Sequence, residues 1–190
     1  MLGLHPDILA LIPQFLDEMD IRIIKNRLLA THEEYEYFAT YGYLNILKYV
    51  WSEDYSWNNH IIEHAAQNGH INVIEWAVEK DCGYDSMATY YAASQYGHLE
   101  VLQWMQKDIN HYAAITCLSN AAKYGHLHIF QWISDIGYKI TGITLSYAAS
   151  YGYLHILQWA LDNEYKFHSD ICNYAATSGD LKTLQWLYAH

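Results

Sequence analysis

Apolar residues recur along most of the chain at positions set by six glycines. Counted from each glycine, positions two, four, five, seven and eight are mostly apolar, and position six is polar in every copy. This spacing predicts an amphipathic helix whose polar position faces solvent. In the fourth copy the apolar residues are Leu127, Ile129, Phe130, Trp132 and Ile133, and the polar residue is Gln131.

A first helix is predicted before each glycine, because two adjacent small residues, most often Ala-Ala, stand a few positions ahead of it. Small side chains let a neighbouring helix approach closely. The glycine then ends this helix, since a residue without Cβ adopts the left-handed conformation at little cost. Candidate N-caps near the start of the helix are Ser56, Ser86, Thr141 and Ser169.

The links between copies carry mostly aromatic residues at positions thirteen and fifteen after the glycine, for example Tyr138 with Ile140 and Tyr165 with Phe167. A spacing of two places both side chains on one side of an extended segment, which indicates a short extended stub. An irregular loop with buried aromatics accounts for the same pattern. Both interpretations stay open at this point.

The six glycines stand at positions 42, 69, 97, 125, 152 and 179, separated by 27 or 28 residues. A short, nearly constant period is typical of a solenoid, in which each copy buries its apolar face against its neighbours. We therefore predict an all-α, or nearly all-α, solenoid of about six stacked helix-turn-helix repeats over residues 31–190. Residues 1–30 lie outside the repeat and are predicted to form a short helical N-terminal cap.

Charge and cysteine content narrow the class of protein. The chain has 21 Asp and Glu against 10 Lys and Arg, a net charge of −11, which argues against binding to nucleic acid or to anionic membranes. Cys82, Cys117 and Cys172 stand far apart and indicate free thiols in a reducing compartment. Because no apolar run reaches bilayer-spanning length, we expect a soluble, intracellular protein.

A zinc-protease pattern occurs once. His60, Glu63 and His64 match His-x-x-Glu-His with the two histidines one helical turn apart. A zinc site needs a further ligand, and His64 occupies a repeat position that varies between copies. We therefore expect no metal here.

Histidine also follows the glycine directly in three copies, at His70, His98 and His126. Because the position is locked to the repeat, we expect these side chains to hydrogen-bond backbone at the turn rather than to hold a metal. His126 and His128 are two residues apart, so on a helix they are expected to point in different directions. The chain also lacks a phosphate loop and a nucleophile motif, so no enzyme and no cofactor are predicted.

Tyrosine is the best candidate for a binding surface. It immediately precedes the glycine in four copies, at Tyr41, Tyr96, Tyr124 and Tyr151. Stacked copies would align these side chains, and tyrosine is common in interaction hot spots. The alternative is that they wedge neighbouring repeats together. The variable position one turn earlier adds further candidates for partner binding, namely His64, Asn120, Tyr147 and Tyr174.

The motif Ala-Ala-x-x-Gly-His-Leu-x-x-Leu resembles the ankyrin repeat, and the resemblance covers residues 31–190. Ankyrin repeats are about 33 residues long and begin with a Thr-Pro-Leu-His turn, which is missing here. The Gln-Trp pair and the Tyr-Ala-Ala opening are similar to the shortened, Trp- and Tyr-rich ankyrin-like arrays encoded by giant viruses. The resemblance implies helix pairs without the usual β-finger, in a viral protein of the host-cell cytoplasm or the virion.

The N-terminal segment resembles the opening of an F-box through Asp7, Ile8, Leu9, Ile12, Phe15, Leu16 and Asp20. The proline is shifted by one position, and the third helix is absent or merged into the first repeat. The resemblance implies a substrate adaptor of a ubiquitin ligase, docking on a Skp1-like subunit through Ile8, Leu9, Ile12, Phe15 and Leu16. The alternative is a cap that shields the apolar edge of the first repeat.

These observations predict a non-catalytic scaffold that binds a partner protein through the variable surface of the repeat array. The first alternative is the ubiquitin-ligase adaptor. A further alternative is a structural component of a larger assembly, such as a virion. In that case the apolar edge at Leu187–His190 would be covered by another chain, which implies self-association.

Overall fold

A computed structural model describes residues 32–51 and 60–190, with side chains from Tyr35 onward except at positions 49 and 50. Within these ranges the regular structure consists of twelve α-helices and one 3₁₀-helix, without a strand. The all-helical prediction is therefore confirmed for the described residues. The predicted N-terminal cap, the F-box-like segment and the candidate N-cap Ser56 lie outside them.

The described helices belong to two compact units, which divide between Asp85 and Ser86. The described residues of the first unit form two helix pairs. They are α1 (His32–Thr40) with α2 (Leu44–Val50), and α3 (His60–Gln67) with α4 (Ile71–Glu79). Each helix packs on its pair partner, and α1 packs on α3.

The second unit contains four helix pairs. They are α5 (Ser86–Tyr96) with α6 (Leu99–Trp104), α7 (His111–Tyr124) with α8 (Leu127–Asp135), α9 (Gly142–Ser150) with α10 (Leu154–Asp162), and α11 (Ile171–Ser178) with α12 (Leu181–Ala189). The first helices of successive pairs lie side by side, α5 on α7, α7 on α9 and α9 on α11. Within each unit, contacts therefore join pairs that are neighbours in the sequence.

The second helices bury most of their apolar stripe, as the pattern predicts, where the structure describes the side chains. In α8, Ile129 and Phe130 are fully buried, whereas Gln131 between the buried positions is exposed. The polar position is exposed in all six copies, at Lys48, Glu75, Gln103, Gln131, Gln158 and Gln185. Hydrophobic burial of one face thus accounts for the helix periodicity in the sequence.

The six repeat glycines end the first helices in a left-handed conformation, with φ between +68° and +85°. In five copies the N–H of the residue after the glycine donates to the carbonyl five residues earlier. His126 N to Ala121 O, at 2.9 Å, is one example. This is the Schellman arrangement, which satisfies carbonyls that the helix end leaves unpaired. The predicted glycine stop is confirmed.

The same glycines also make room for the next repeat. A Cβ on Gly42 would lie 2.6 Å from the ring of His70, and a Cβ on Gly125 would lie 2.5 Å from the ring of Tyr153. In these copies the side chain that follows one glycine therefore packs directly on the glycine of the preceding copy. Glycine is needed twice, for its backbone conformation and for this close approach.

The N-caps agree only in part with the sequence. Thr141 caps α9, as predicted, in a reciprocal capping box with Thr144. Ser169 is not a cap, because Asp170 holds the N-cap position of α11. Asn110, which was not predicted, caps α7 by accepting a hydrogen bond from Ala113 N at 2.9 Å.

One link contains the 3₁₀-helix Gln106–Asp108 and the other described links are irregular, so the predicted extended stub does not form a strand in the described part of the chain. Three links share a left-handed residue twelve positions after the repeat glycine, at Asp81, Gly137 and Glu164, with φ of 57°, 90° and 61°. In two of these links the next residue is a tyrosine, Tyr138 or Tyr165, whose hydroxyl reaches back to the preceding repeat. The Tyr138 hydroxyl donates to the carbonyl of Ile109 at 2.9 Å.

Candidate functional site

The tyrosines that precede the glycines lie at the C-terminal ends of the first helices. Tyr41, Tyr96 and Tyr151 have relative exposures of 43%, 53% and 50%, and Tyr124 is half-buried. In the second unit the first helices pack side by side. Tyr96, Tyr124 and Tyr151 therefore occupy equivalent ends of three neighbouring helices.

The variable position one turn earlier adds two exposed tyrosines, Tyr147 on α9 and Tyr174 on α11, each with a relative exposure of 44%. We call Tyr96, Tyr124, Tyr147, Tyr151 and Tyr174 of the second unit the tyrosine row. In the first unit, His64 occupies the same position and is half-buried, with its Nε2 3.8 Å from Glu36 Oε2.

Asn120 differs from the other residues predicted for the binding surface, because it is buried, with a relative exposure of 7%. Its Nδ2 donates to the carbonyl of Tyr91 at 3.3 Å and to Ser94 Oγ at 3.0 Å. These bonds join α7 to α5. Assigning Asn120 to the surface was therefore wrong, since a short amide side chain finds buried partners on the neighbouring helix.

Lys123 is a further candidate for partner binding, and the repeat motif did not predict it. Its Nζ lies 5.3 Å from the ring centroid of Tyr124 and 5.9 Å from that of Tyr151. The phenol of Tyr124, followed by that of Tyr151 and with a smaller effect of Tyr91, raises the pKa of Lys123 above its ordinary value. One sequence signal was present, because Lys123 is the only charged residue two positions before a repeat glycine.

In the first unit the tyrosines contact one another. The ring centroids of Tyr37 and Tyr41 are 4.6 Å apart, and those of Tyr41 and Tyr43 are 5.8 Å apart and stacked. Tyr41 is therefore an exposed member of a local aromatic cluster. Aromatic pairs of this kind contribute stability as well as contact area.

Histidines bridge successive helix pairs through their side chains. His70 Nε2 donates to the carbonyl of Thr40 at 3.0 Å, and His126 Nε2 donates to that of Gln95 at 2.8 Å. Because a carbonyl only accepts, Nε2 carries a proton in both rings. The predicted hydrogen bond to backbone is confirmed at these two residues, and its acceptor belongs to the preceding repeat.

His126 and His128 do not point apart as predicted. Their ring centroids are 5.8 Å apart, and His128 Nε2 donates to the carbonyl of Gly97 at 2.8 Å, two residues after the acceptor of His126. The reason is that His126 is the N-cap of α8 and lies outside the helix, so helical spacing does not apply to the pair. His155 makes the equivalent bond to the carbonyl of Gly125 at 3.0 Å.

We expect the second unit to lose stability in mild acid through His126. Burial, more than the nearby His128 and His98, lowers the pKa of His126, and the bond to Gln95 only partly opposes this shift. As the pH falls, His126 is therefore protonated in the unfolded chain at a higher pH than in the folded chain. The contribution of neutral His126 is fully present above pH 6.5, about the pKa of an unperturbed histidine, and is lost as the pH falls through the lower folded pKa.

Urea denaturation at pH 7.5 and pH 5.5 would test this expectation with the variant His126→Tyr, since tyrosine occupies the same position in the next copy at Tyr153. The variant should lose less unfolding free energy on acidification than the parent chain. An equal loss in both proteins would assign the acid sensitivity to other groups.

The zinc-protease pattern does not assemble a metal site. His60 Nδ1 lies 3.4 Å from Glu63 Oε2, within one turn of α3, and His64 faces Glu36 of α1. Among the described residues, no group of three or more His, Cys, Asp and Glu side chains has the arrangement needed to hold a metal ion.

The buried cysteines are thiols at neutral pH. Burial raises the pKa of Cys82 to about 11 and that of Cys117 to about 12. A thiol with so high a pKa supplies almost no thiolate, the form that acts as nucleophile or metal ligand. Both side chains belong to the core.

Comparison with known proteins adds no family. No protein-family model and no curated protein matches the chain. The ankyrin-like and F-box-like resemblances therefore rest on the residues that carry them. The candidate docking residues Ile8, Leu9, Ile12, Phe15 and Leu16 lie outside the described residues. Within the described ranges, no helix combines the length and the apolar character needed to cross a bilayer.

Proposed function

We propose that this chain is a non-catalytic scaffold that binds a partner protein through an ankyrin-like repeat array. The observation that carries the proposal is the tyrosine row, whose members recur at equivalent positions on successive first helices and are mostly exposed. Tyrosine provides a large contact area with few rotatable bonds, so ordering it on binding costs little entropy. Packing of helix pairs in sequence order supports the ankyrin-like interpretation.

Exposure also favours binding over the alternative in which the tyrosines wedge repeats together. The wedge positions are filled by other residues, because His70 and Tyr153 pack on the preceding glycines and His126 bonds the preceding turn. Tyr147 and Tyr151 are left with about half of their surface in solvent. Large side chains left exposed at repeated positions fit an interface that another protein covers.

The double variant Tyr147→Ser with Tyr151→Ser tests the proposal. These residues lie one turn apart at the end of α9, and removing two hot-spot side chains should weaken partner binding at least about tenfold, which corresponds to about 1.4 kcal/mol or more. The partner would first be captured from the native host by the full chain and identified by mass spectrometry. The affinity of this partner for the parent chain and for the double variant would then be measured by calorimetry.

The matched control is Gln131→Ser with Gln158→Ser, which changes two exposed residues on second helices. This variant should bind as the parent chain does. Equal affinity of both double variants would show that the tyrosine row is not the interface. A Skp1-like protein among the captured partners would support the ubiquitin-ligase adaptor, with residues 4–21 as the docking segment.

A structural role in a larger assembly is the second candidate, and two exposed apolar side chains on α12 favour it. Leu181 and Tyr188 on α12 have relative exposures of 64% and 78%, whereas Leu154, which corresponds to Leu181, is half-buried. Another chain, including a second copy of this one, can cover this surface. Light scattering over a wide concentration range tests self-association, because the measured molar mass should rise with concentration if copies of the chain associate. A constant monomer mass would exclude self-association.

A further inference from the structure

We propose that the surface around Lys123 binds an acidic segment of the partner protein, in which an Asp or Glu carboxylate pairs with the Lys123 ammonium beside the rings of Tyr124 and Tyr151. This inference rests on the proposed scaffold function and specifies the chemistry of the partner. It concerns the second unit alone.

Three neighbouring helix pairs contribute to this surface. Tyr91 lies on α5, Lys123 and Tyr124 end α7, and Tyr151 follows α9. Tyr91 and Tyr151 have relative exposures of 46% and 50%, so an incoming chain can reach them. Phenol hydroxyls donate hydrogen bonds to carboxylate oxygens, and an ammonium donates three. One cation among three phenols therefore suits an anionic group that needs several donors.

The helices are held in register by contacts already present. Asn120 bonds to the carbonyl of Tyr91 and to Ser94 Oγ, which fixes α7 against α5. The ring of Tyr153 packs on Gly125, which fixes the turn after α7 against the following pair. A surface ordered before binding loses less entropy when the partner arrives.

Charge selects an acidic segment over a basic one. No carboxylate of the described residues lies within ion-pair distance of Lys123 Nζ, and its close neighbours are the phenols. An ammonium lying on tyrosine rings already satisfies their attraction for a cation. A second cation would be repelled by Lys123, whereas a carboxylate would gain an ammonium that has no carboxylate partner among the described residues.

The overall negative charge does not prevent this binding. Residues 86–190 carry seven Asp and Glu against five Lys, a net of −2, so nine of the eleven net negative charges belong to residues 1–85. At physiological ionic strength, charges on the surface are screened over about 8 Å. An acidic segment at Lys123 therefore responds mainly to the charges beside it.

Selection from a displayed library of random peptides tests the proposal on the full chain. The wild-type protein should enrich peptides that contain Asp or Glu, and the charge reversal Lys123→Glu should abolish this enrichment. A peptide selected on the wild type should bind Lys123→Glu at least about tenfold more weakly in fluorescence anisotropy, because like charges in contact oppose binding.

The matched control is Lys139→Glu, an equal charge reversal at an exposed residue in the link before α9, at the opposite end of that helix from Tyr151. It should select and bind the same acidic peptides as the wild type. Urea denaturation of both lysine variants checks that neither change unfolds the chain.

Three outcomes would overturn the inference. They are enrichment of basic peptides on the wild type, acidic peptides whose binding is unaffected by Lys123→Glu, and no enrichment at all. None of them decides the proposed scaffold function, whose interface on the tyrosine row is tested separately by the effect of Tyr147→Ser with Tyr151→Ser on binding of the captured partner. The two failures are therefore distinguishable.

Discussion

Replacing Phe130 with alanine should lower the free energy of unfolding by about 3–5 kcal/mol. The side chain is fully buried on α8, and its ring meets that of Trp159 on α10 edge to face, with centroids 6.4 Å apart and planes at 76°. The substitution removes apolar contacts within one helix pair and the aromatic contact to the next. A cavity remains, because the helix pair that contains Phe130 and the helix that carries Trp159 relax only in part after the ring is removed.

Urea denaturation followed by circular dichroism would measure this loss. Gln131→Ala is the control, since the adjacent residue is exposed and its replacement should change the unfolding free energy by no more than about 0.5 kcal/mol. A loss below about 1 kcal/mol for Phe130→Ala would mean that the site collapses freely after truncation, contrary to the packing described. The slope of the transition should be compared as well, because repeat arrays can unfold in parts.

Gly125→Ala should cost about 2–5 kcal/mol, from two separate causes. The left-handed backbone, at φ +84°, penalises a residue with Cβ by about 1–2 kcal/mol. The added methyl would also lie 2.5 Å from the ring of Tyr153, and forcing extra atoms into a packed contact costs about 1–3 kcal/mol. Thermal or urea unfolding of Gly125→Ala would measure the sum of the backbone penalty and the steric penalty.

Gly179→Ala separates the two causes. Gly179 occupies the same repeat position with φ +68°, but a Cβ there meets no atom within 4 Å. Its replacement should cost only the conformational part, about 1–2 kcal/mol. Equal losses in the two variants would contradict the second role of the glycines, in which they admit the side chain of the next repeat.

The features predicted correctly depend on residues close together in the sequence. Gln131 faces solvent because neighbours on the same helix define the apolar side, and Gly125 ends α7 because its own backbone adopts positive φ. The capping of α9 by Thr141 is equally local. Such features follow from the conformational preferences and polarity of a short segment, so the helix pairs, their glycine-marked ends and most of their core could be predicted without a structure.

The errors at Asn120 and at the His126–His128 pair concern partners on another helix pair. Asn120 is buried because Tyr91 and Ser94 offer it hydrogen bonds from 29 and 26 residues away. His126 and His128 turn the same way because the acceptors lie 31 residues back. The repeat pattern predicted that these residues occupy equivalent positions in successive copies, but it did not predict which hydrogen-bond partners the neighbouring helix pair places beside each one.

Sequence alone therefore determined the helices, the ends that the glycines mark and the apolar faces that neighbouring pairs bury. Tertiary structure decided which of the repeated polar positions remain on the surface, and it brought Tyr91, Lys123, Tyr124 and Tyr151 together from three helix pairs. The physical reason is distance along the chain. Local preferences act within a few residues, whereas a binding surface is formed by side chains that meet only after the pairs have packed.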